Sequence, residues 1–364
     1  MPAAPRDHKI LFTPGPTEVA PEILREMARP VIGHRGAEMQ AVIRDVVPRL
    51  RPLFGTGAFD IFLTACSATA LWEAALRNCV VRRALVPVCG AFSERFLEVA
   101  LASGIEADPL RVDWGRAVPA GAVAEALATG RYDTVALVHN ETSTGVTNPL
   151  AEIAEAVRLR GDVALLVDAV SSLGGIPVES DRNGIDVCLA SVQKCLALPP
   201  GFSLCAVSPR ALARSAQLTG KGYYLDFIRL KEFFDRGLPM ATPSVGHIFA
   251  LQAQLKRIEA EGLEGRYARH RAMAERARAW AGARFGLFAE AAARSNTVSC
   301  VTNTRRIDVA RFVSDLASRG FGVSNGYGRL KEQTFRIGHM GDHTVAGLED
   351  LLRTMDEVLG ENGA

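Results

Sequence analysis

Between residues 60 and 208 the chain alternates two textures. Short runs are apolar almost without interruption: DIFLTA (60–65), ALVPVC (84–89), YDTVALVHN (132–140), VALLVDAV (163–170), IDVCLASV (185–192) and FSLCAVS (202–208). Between them lie stretches whose apolar residues recur at helical spacing: SATALWEAALRNCV (67–80), FSERFLEVALASG (92–104) and PLAEIAEAVRLRG (149–161). A strand that is apolar on both faces must be covered on both faces. The alternation therefore predicts an α/β fold, a mostly parallel sheet with helices on either side. Past about residue 255 the texture changes. A long charged helical region (251–284) leads to a strand TVSCVTN (297–303), a helix DVARFVSDLASRG (308–320), strands in FGVSNG (321–326) and TFRIGHMG (334–341), and a last helix (343–359). Two or three strands with helices on one side predict a smaller α+β C-terminal domain. The expected division is an N-terminal segment (1–20), a large domain (21–255) and a small domain (256–364).

Composition narrows the classes. The chain has 364 residues, 48% of them apolar, with 42 basic and 40 acidic side chains and a net charge of +2. That supports a large core, and carries neither a nucleic-acid nor a membrane footprint. VVPRLRP (46–52) is short and interleaved with apolar residues. The arginine-rich tract RYARHRAMAERARAWAGAR (266–284) reads as the solvated face of an amphipathic helix or, alternatively, as an anion-binding surface. Seven cysteines, Cys66, Cys79, Cys89, Cys188, Cys195, Cys205 and Cys300, form no CxxC and sit mostly in apolar runs. They read as small buried hydrophobes of a reducing compartment. MPAAPRDHKI lacks an apolar signal core, and GENGA is no recognised address, so a cytoplasmic location is expected.

No GxGxxG follows a strand, and GTGAFD (55–60) precedes one. A nicotinamide-binding unit is unsupported. The unusual residues are a lysine and an aspartate at strand ends. IDVCLASVQK closes an apolar run with Lys194, and VALLVD closes one with Asp168. In open α/β sheets ligands sit at the carboxyl ends of strands. A buried Asp168–Lys194 ion pair bracing the sheet is one reading, but such pairs stabilise weakly. The other is pyridoxal phosphate chemistry, which needs a lysine to form a Schiff base and an acid facing the pyridine nitrogen. A phosphate cup is offered by Ser67, Ala68 and Thr69 where a strand turns into a helix, although Ser and Thr there are also ordinary N-caps.

LFTPGPTEV, SATALWEA, GAFSERF, HNETSTGV, the block DAVSSLGGIPVESDRNGIDVCLASVQKCLALPPGFSL and FRIGHMG occur in this order along nearly the whole chain. Together they resemble the class V aminotransferases of pyridoxal phosphate fold type I, nearest the alanine–glyoxylate and serine–pyruvate branch. The resemblance implies roles. Lys194 is the Schiff-base lysine and Asp168 the partner of the ring nitrogen. Phe92, by itself an ordinary core residue, stacks on the ring, and Val170 packs on its other face. Thr142 lies near the ring hydroxyl. Ser67, Ala68, Thr69 and Gln193 bind phosphate. The family's phosphate turn carries glycines where Ala68 and Ala70 stand here. Thr242 matches a phosphate ligand donated by a neighbouring subunit, which implies a homodimer with a shared site, while a tyrosine common three residues earlier is Pro239.

Arg336, alone a surface residue, matches the arginine for the substrate α-carboxylate. Gly15 of TPGPTEV approaches the same group. His34 and Arg35 either face the substrate side chain or brace the N-terminal segment. The loop 324–333, with Tyr327, Arg329 and Lys331, is either a lid or a polar hairpin. The expected reaction is ping-pong transamination, through pyridoxamine phosphate, between alanine or serine and glyoxylate or pyruvate. If Arg35 faces the site, the donor is instead anionic: phosphoserine, aspartate or 2-aminoethylphosphonate. The rivals are a lyase of the cysteine desulfurase type and a scaffold without chemistry. A desulfurase needs an exposed nucleophilic cysteine, and Cys195 lies in an apolar stretch.

Overall fold

The computed structural model describes residues 8–361. The start of the N-terminal segment and the end of the GENGA tail, residues 1–7 and 362–364, lie outside the described residues. A seven-stranded sheet runs, in spatial order, Asp60–Thr64, Ser203–Val207, Val187–Ser191, Ala164–Asp168, Thr134–Val138, Ala84–Val88 and Ala107–Arg111. Every neighbouring pair is parallel except those made by Ser203–Val207, which is antiparallel to both of its neighbours. Along Ala164–Asp168 the side chains alternate between two cores: Leu165 and Val167 enter one, Leu166 the other. That alternation, with both faces buried, is why the sequence shows unbroken apolar runs.

The strand Ala107–Arg111 has no apolar run to mark it. It is one of the two sheet edges, pairs on one side only and leaves Pro109 and Arg111 exposed. The charged region expected as one helical stretch is two helices, Val245–Glu261 and Leu263–Arg284, broken where Gly262 takes φ 75°. The arginine tract is neither a solvated face nor an anion surface at its start. Arg266 is 1% exposed. It donates to the carbonyls of Gly174 (3.0 Å) and Cys195 (2.6 Å) and pairs with Glu261 and Asp342.

A second, antiparallel sheet has the order Gly286–Leu287, Val298–Thr302, Thr334–Gly338, Ser324–Asn325. It packs its own core, with Phe335 meeting Phe285 and Phe312 edge-on. The N-terminal segment is stitched to this part of the fold. Ile10–Leu11 pairs in parallel with Phe321–Gly322, and Gly338 N–H donates to Phe12 O at 2.7 Å. All seven cysteines are free; six are buried and Cys66 is half-buried. No helix among the described residues is long and apolar enough to cross a membrane.

Candidate active site

Asp168 ends one strand, and Lys194 lies just beyond the next, with Asp168 in register with Leu189. Both therefore stand at the carboxyl end of neighbouring parallel strands. Lys194 is buried, and its Nζ donates to the carbonyl of Pro14. Burial, and then the charge of Arg336, pushes the amine down to about 8. The segment 13–17 straps across it: Thr17 N–H donates to Gln193 O at 3.1 Å, and Thr17 Oγ1 donates to Met340 O at 3.3 Å. Gly15 (φ 105°) lies against the lysine so closely that an added Cβ would stand 2.5 Å from its Cε.

The Asp168 carboxylate does not pair with Lys194. Its Oδ2 accepts from Trp72 Nε1 and its Oδ1 from Val170 N–H, both at 2.7 Å. Burial pushes its pKa up to about 6 in spite of both bonds. The bracing ion pair is not formed, so two uncompensated titratable groups share one end of the sheet. An amine near 8 and an acid near 6 suit proton transfer near neutral pH.

Trp72 belongs to the helix Ala68–Cys79, whose start is the Ser67–Ala68–Thr69 turn. Ser67 occupies the N-cap position but makes no capping hydrogen bond, and Ser67 and Thr69 are exposed. The capping reading therefore fails, and the helix N-terminus keeps free donors. Gln193 is half-buried, and its Oε1 accepts from Ser191 Oγ at 2.5 Å. Thr142 donates to Ser171 Oγ at 2.9 Å, and its carbonyl accepts from Arg336 Nη1 at 3.4 Å. Arg336 is 7% exposed and has no acidic partner among the described residues; burial pushes its pKa down.

The loop 324–333 is not a free hairpin. Its Tyr327 stacks on Phe92 at 5.2 Å, accepts from Arg95 Nη2 at 2.5 Å and lies 5.3 Å below the Arg336 guanidinium carbon. Arg329 sits 3.8 Å over the Trp114 ring. Tyr327 stacks on Phe92, and the Arg95 guanidinium also lies over the Phe92 ring, at 5.4 Å.

Two expected residues stand apart from this cluster. Thr242 is exposed, in a cleft with Tyr224, Pro239, Met240 and Ala65. Arg35 is exposed and lies over the Phe233 ring at 5.8 Å.

Residues 84–331 match the family model of the aminotransferases of class V. An uncharacterized aminotransferase of Methanocaldococcus jannaschii is 39% identical over 95% of this chain and 91% of the relative. The serine–glyoxylate aminotransferase of Methylorubrum extorquens is 30% identical over 98% and 92%. The L-aspartate–glyoxylate aminotransferase of Paracoccus denitrificans is 30% identical over 97% and 91%. The crystal structure of alanine–glyoxylate aminotransferase from Nostoc sp. superposes with a TM-score of 0.92 at 27% identity, covering 99% of this chain and 97% of that one.

This chain is a class V aminotransferase.

Its fold is pyridoxal phosphate fold type I, and its cofactor is pyridoxal phosphate. The residues fit that group. An uncapped helix N-terminus offers N–H donors for phosphate. A buried acid without a cationic contact among the described residues suits a ring nitrogen, and a buried amine of lowered pKa suits the aldehyde. When bound, the cofactor's ring accepts the electron pair left as the substrate Cα–H bond breaks.

Sequence reasoning missed Trp72, Ser171, Tyr327 as a stacking partner, and the Pro14 carbonyl. Trp72 lies inside the SATALWEA motif, one turn from Ser67. A tryptophan on a buried helix face reads as core until its indole N–H is seen to find an acid.

Proposed function

We propose that this aminotransferase moves an amino group from a small amino acid, alanine or serine, to glyoxylate, in ping-pong fashion. The observation that carries the reading is Arg336, a buried guanidinium with no acidic partner among the described residues, beside the strapped Lys194. A cation so placed is balanced by an anionic ligand, and a planar fork suits an α-carboxylate. Glyoxylate appears in the names of both relatives with a stated reaction and of the solved structure.

In this reading Lys194 holds the cofactor and then carries the Cα proton. Asp168, oriented by Trp72 and Val170 N–H, holds the proton on the ring nitrogen. Phe92 and Val170 flank the ring, Thr142 meets its hydroxyl, and Ser67, Ala68, Thr69 and Gln193 take the phosphate. Arg336 and Gly15 take the substrate carboxylate. Thr242 reaches the site of a second copy, and the enzyme works as a homodimer. The exposed Tyr223, Tyr224 and Val31 support that assembly, since large exposed apolar side chains mark contact surfaces. Free thiols suit a reducing compartment, and we read the enzyme as cytoplasmic. An aspartate donor is the second reading, favoured by the Paracoccus relative; Arg35, exposed on Phe233, adds nothing to it within one chain. A desulfurase is disfavoured because burial pushes the Cys195 thiol up to about 11.

The test loads the purified protein with pyridoxal phosphate and adds single amino acids. Bleaching of the lysine-linked absorbance by alanine or serine, with glycine formed from glyoxylate, is the expected result. A response to aspartate or phosphoserine alone overturns the small-donor reading. No lysine-linked absorbance overturns the role of Lys194.

A further inference from the structure

Glu141 is fully buried, yet no lysine or arginine touches its carboxylate among the described residues. Instead five donors converge on it. Its Oε1 accepts from Phe92 N–H (3.2 Å), Ser143 N–H (3.1 Å) and Ser143 Oγ (2.6 Å). Its Oε2 accepts from Ser93 N–H and Ser93 Oγ, both at 2.9 Å. Phe92 and Ser93 are the second and third residues of the helix Ala91–Ala102, so the carboxylate sits on that helix's N-terminus, where a negative charge is stabilised. Ser143 Oγ extends the clamp by accepting from Ala91 N–H at 3.0 Å. Gly90 makes room: a Cβ there would strike Glu141 Cγ and stand 2.7 Å from Ser143 Oγ.

The clamp joins two segments that meet nothing in common along the sequence. One carries Phe92; the other is Asn140–Glu141, followed directly by Thr142. Helix packing alone fixes the axis of Ala91–Ala102 but tolerates small rotations of its first turn, where Phe92 projects. A carboxylate bonded to two consecutive N–H groups of that turn removes the rotation.

We propose that Glu141 is a positioning residue for the cofactor ring: it locks the first turn of the helix so that Phe92 is held in a fixed relation to Thr142. The inference rests on the placement of Phe92 and Thr142 beside the ring in the proposed function. A glutamine at 141 keeps the shape but supplies one acceptor oxygen and an NH2. Placed toward Phe92 or toward Ser93, that NH2 faces a backbone N–H that cannot reverse its direction. Two backbone donors, those of Phe92 and Ser143, are stranded in the first placement and one, that of Ser93, in the second, and the turn must shift.

The experiment is a double-mutant cycle on the full chain, reading the affinity for pyridoxal phosphate and the circular dichroism induced in the bound cofactor. Glu141→Gln and Phe92→Leu are each expected to weaken binding about tenfold and to halve the induced signal, a loss equal to one stranded hydrogen bond or one lost stack. The double variant is expected to lose no more than the worse single one, because both remove the same ring contact. Multiplying losses, or Glu141→Gln binding within twofold of wild type with only a lower melting temperature, overturns the inference. If Glu141→Gln is insoluble, Ser143→Ala enters the cycle in its place, with a smaller loss and the same lack of additivity expected. Failure of the functional reading is separate: it shows as no lysine-linked absorbance in wild type, or as no loss of it in Lys194→Ala.

Discussion

Gly15→Ala tests whether the N-terminal strap sets the position of the reactive amine. At φ 105° an alanine is strained, at a cost of about 1–3 kcal/mol. The steric term is larger. The new Cβ would stand 2.5 Å from Lys194 Cε, whereas carbon atoms prefer about 3.5–4.0 Å. Lysine or strap must retreat by about 1 Å, and the carbonyl of Pro14, which holds Nζ, moves with the strap. A misplacement of that size at a reacting group costs about 100-fold. The assay is kcat/KM for the best donor with glyoxylate, alongside the lysine-linked cofactor absorbance. A fall of roughly two decades with the chain still folded is expected. Activity within about threefold of wild type, with unchanged absorbance, would refute the idea that the strap places the amine.

The pH dependence of cofactor-free stability follows from Lys194. Its pKa is about 8 when folded and 10.5 when unfolded, so the unfolded chain binds more protons between those values and stability rises with pH there, by roughly 3 kcal/mol. The buried thiols, whose pKa values are raised by burial, pull the other way above about pH 9, so the contribution is read as the difference between wild type and Lys194→Met in urea titrations from pH 7 to 11; an identical slope in both removes the assignment. Arg266→Met strips a donor from the buried carbonyls of Gly174 and Cys195, while Glu261 keeps Arg269 and Asp342 keeps Arg257, and should cost about 1–3 kcal/mol, read as a melting point lower by a few degrees. Arg336→Lys keeps the charge but loses the fork, and should raise KM about 10–100-fold with a smaller change in kcat. Trp72→Phe removes a donor from Asp168 Oδ2, so the carboxyl pKa should rise and the acid limb of the pH–rate profile move to higher pH; an unmoved limb would show that the indole does not tune the acid.

Six of the seven strands of the large sheet were legible as apolar runs. The seventh, Ala107–Arg111, was not: both it and Asp60–Thr64 are edges, but Asp60–Thr64 is largely buried whereas Ala107–Arg111 leaves Pro109 and Arg111 exposed and so carries no apolar run. Lys194 and Asp168 were legible for the opposite reason: a charge at the end of a fully buried strand is anomalous locally, and anomaly is visible without neighbours. Arg266 misled, since an arginine in a charged helix reads as solvated until the helix is seen packed against Gly174 and Cys195. Arg35 and Thr242 were named from a motif, and within one chain neither meets the lysine.

What the sequence determined by itself was the set of elements and the chemistry at their ends. Periodicity and strand-end polarity are properties of neighbouring residues, and they survive without coordinates. Only the tertiary structure decided which donors meet which acceptors: the indole of Trp72 on Asp168, the carbonyl of Pro14 on Lys194, Tyr327 on Phe92, and five donors on Glu141. Each is a contact across a fold, made by residues that separately pass for core, turn or cap. Hydrogen bonds act over about 3 Å, and no local pattern records which distant segment will come that close.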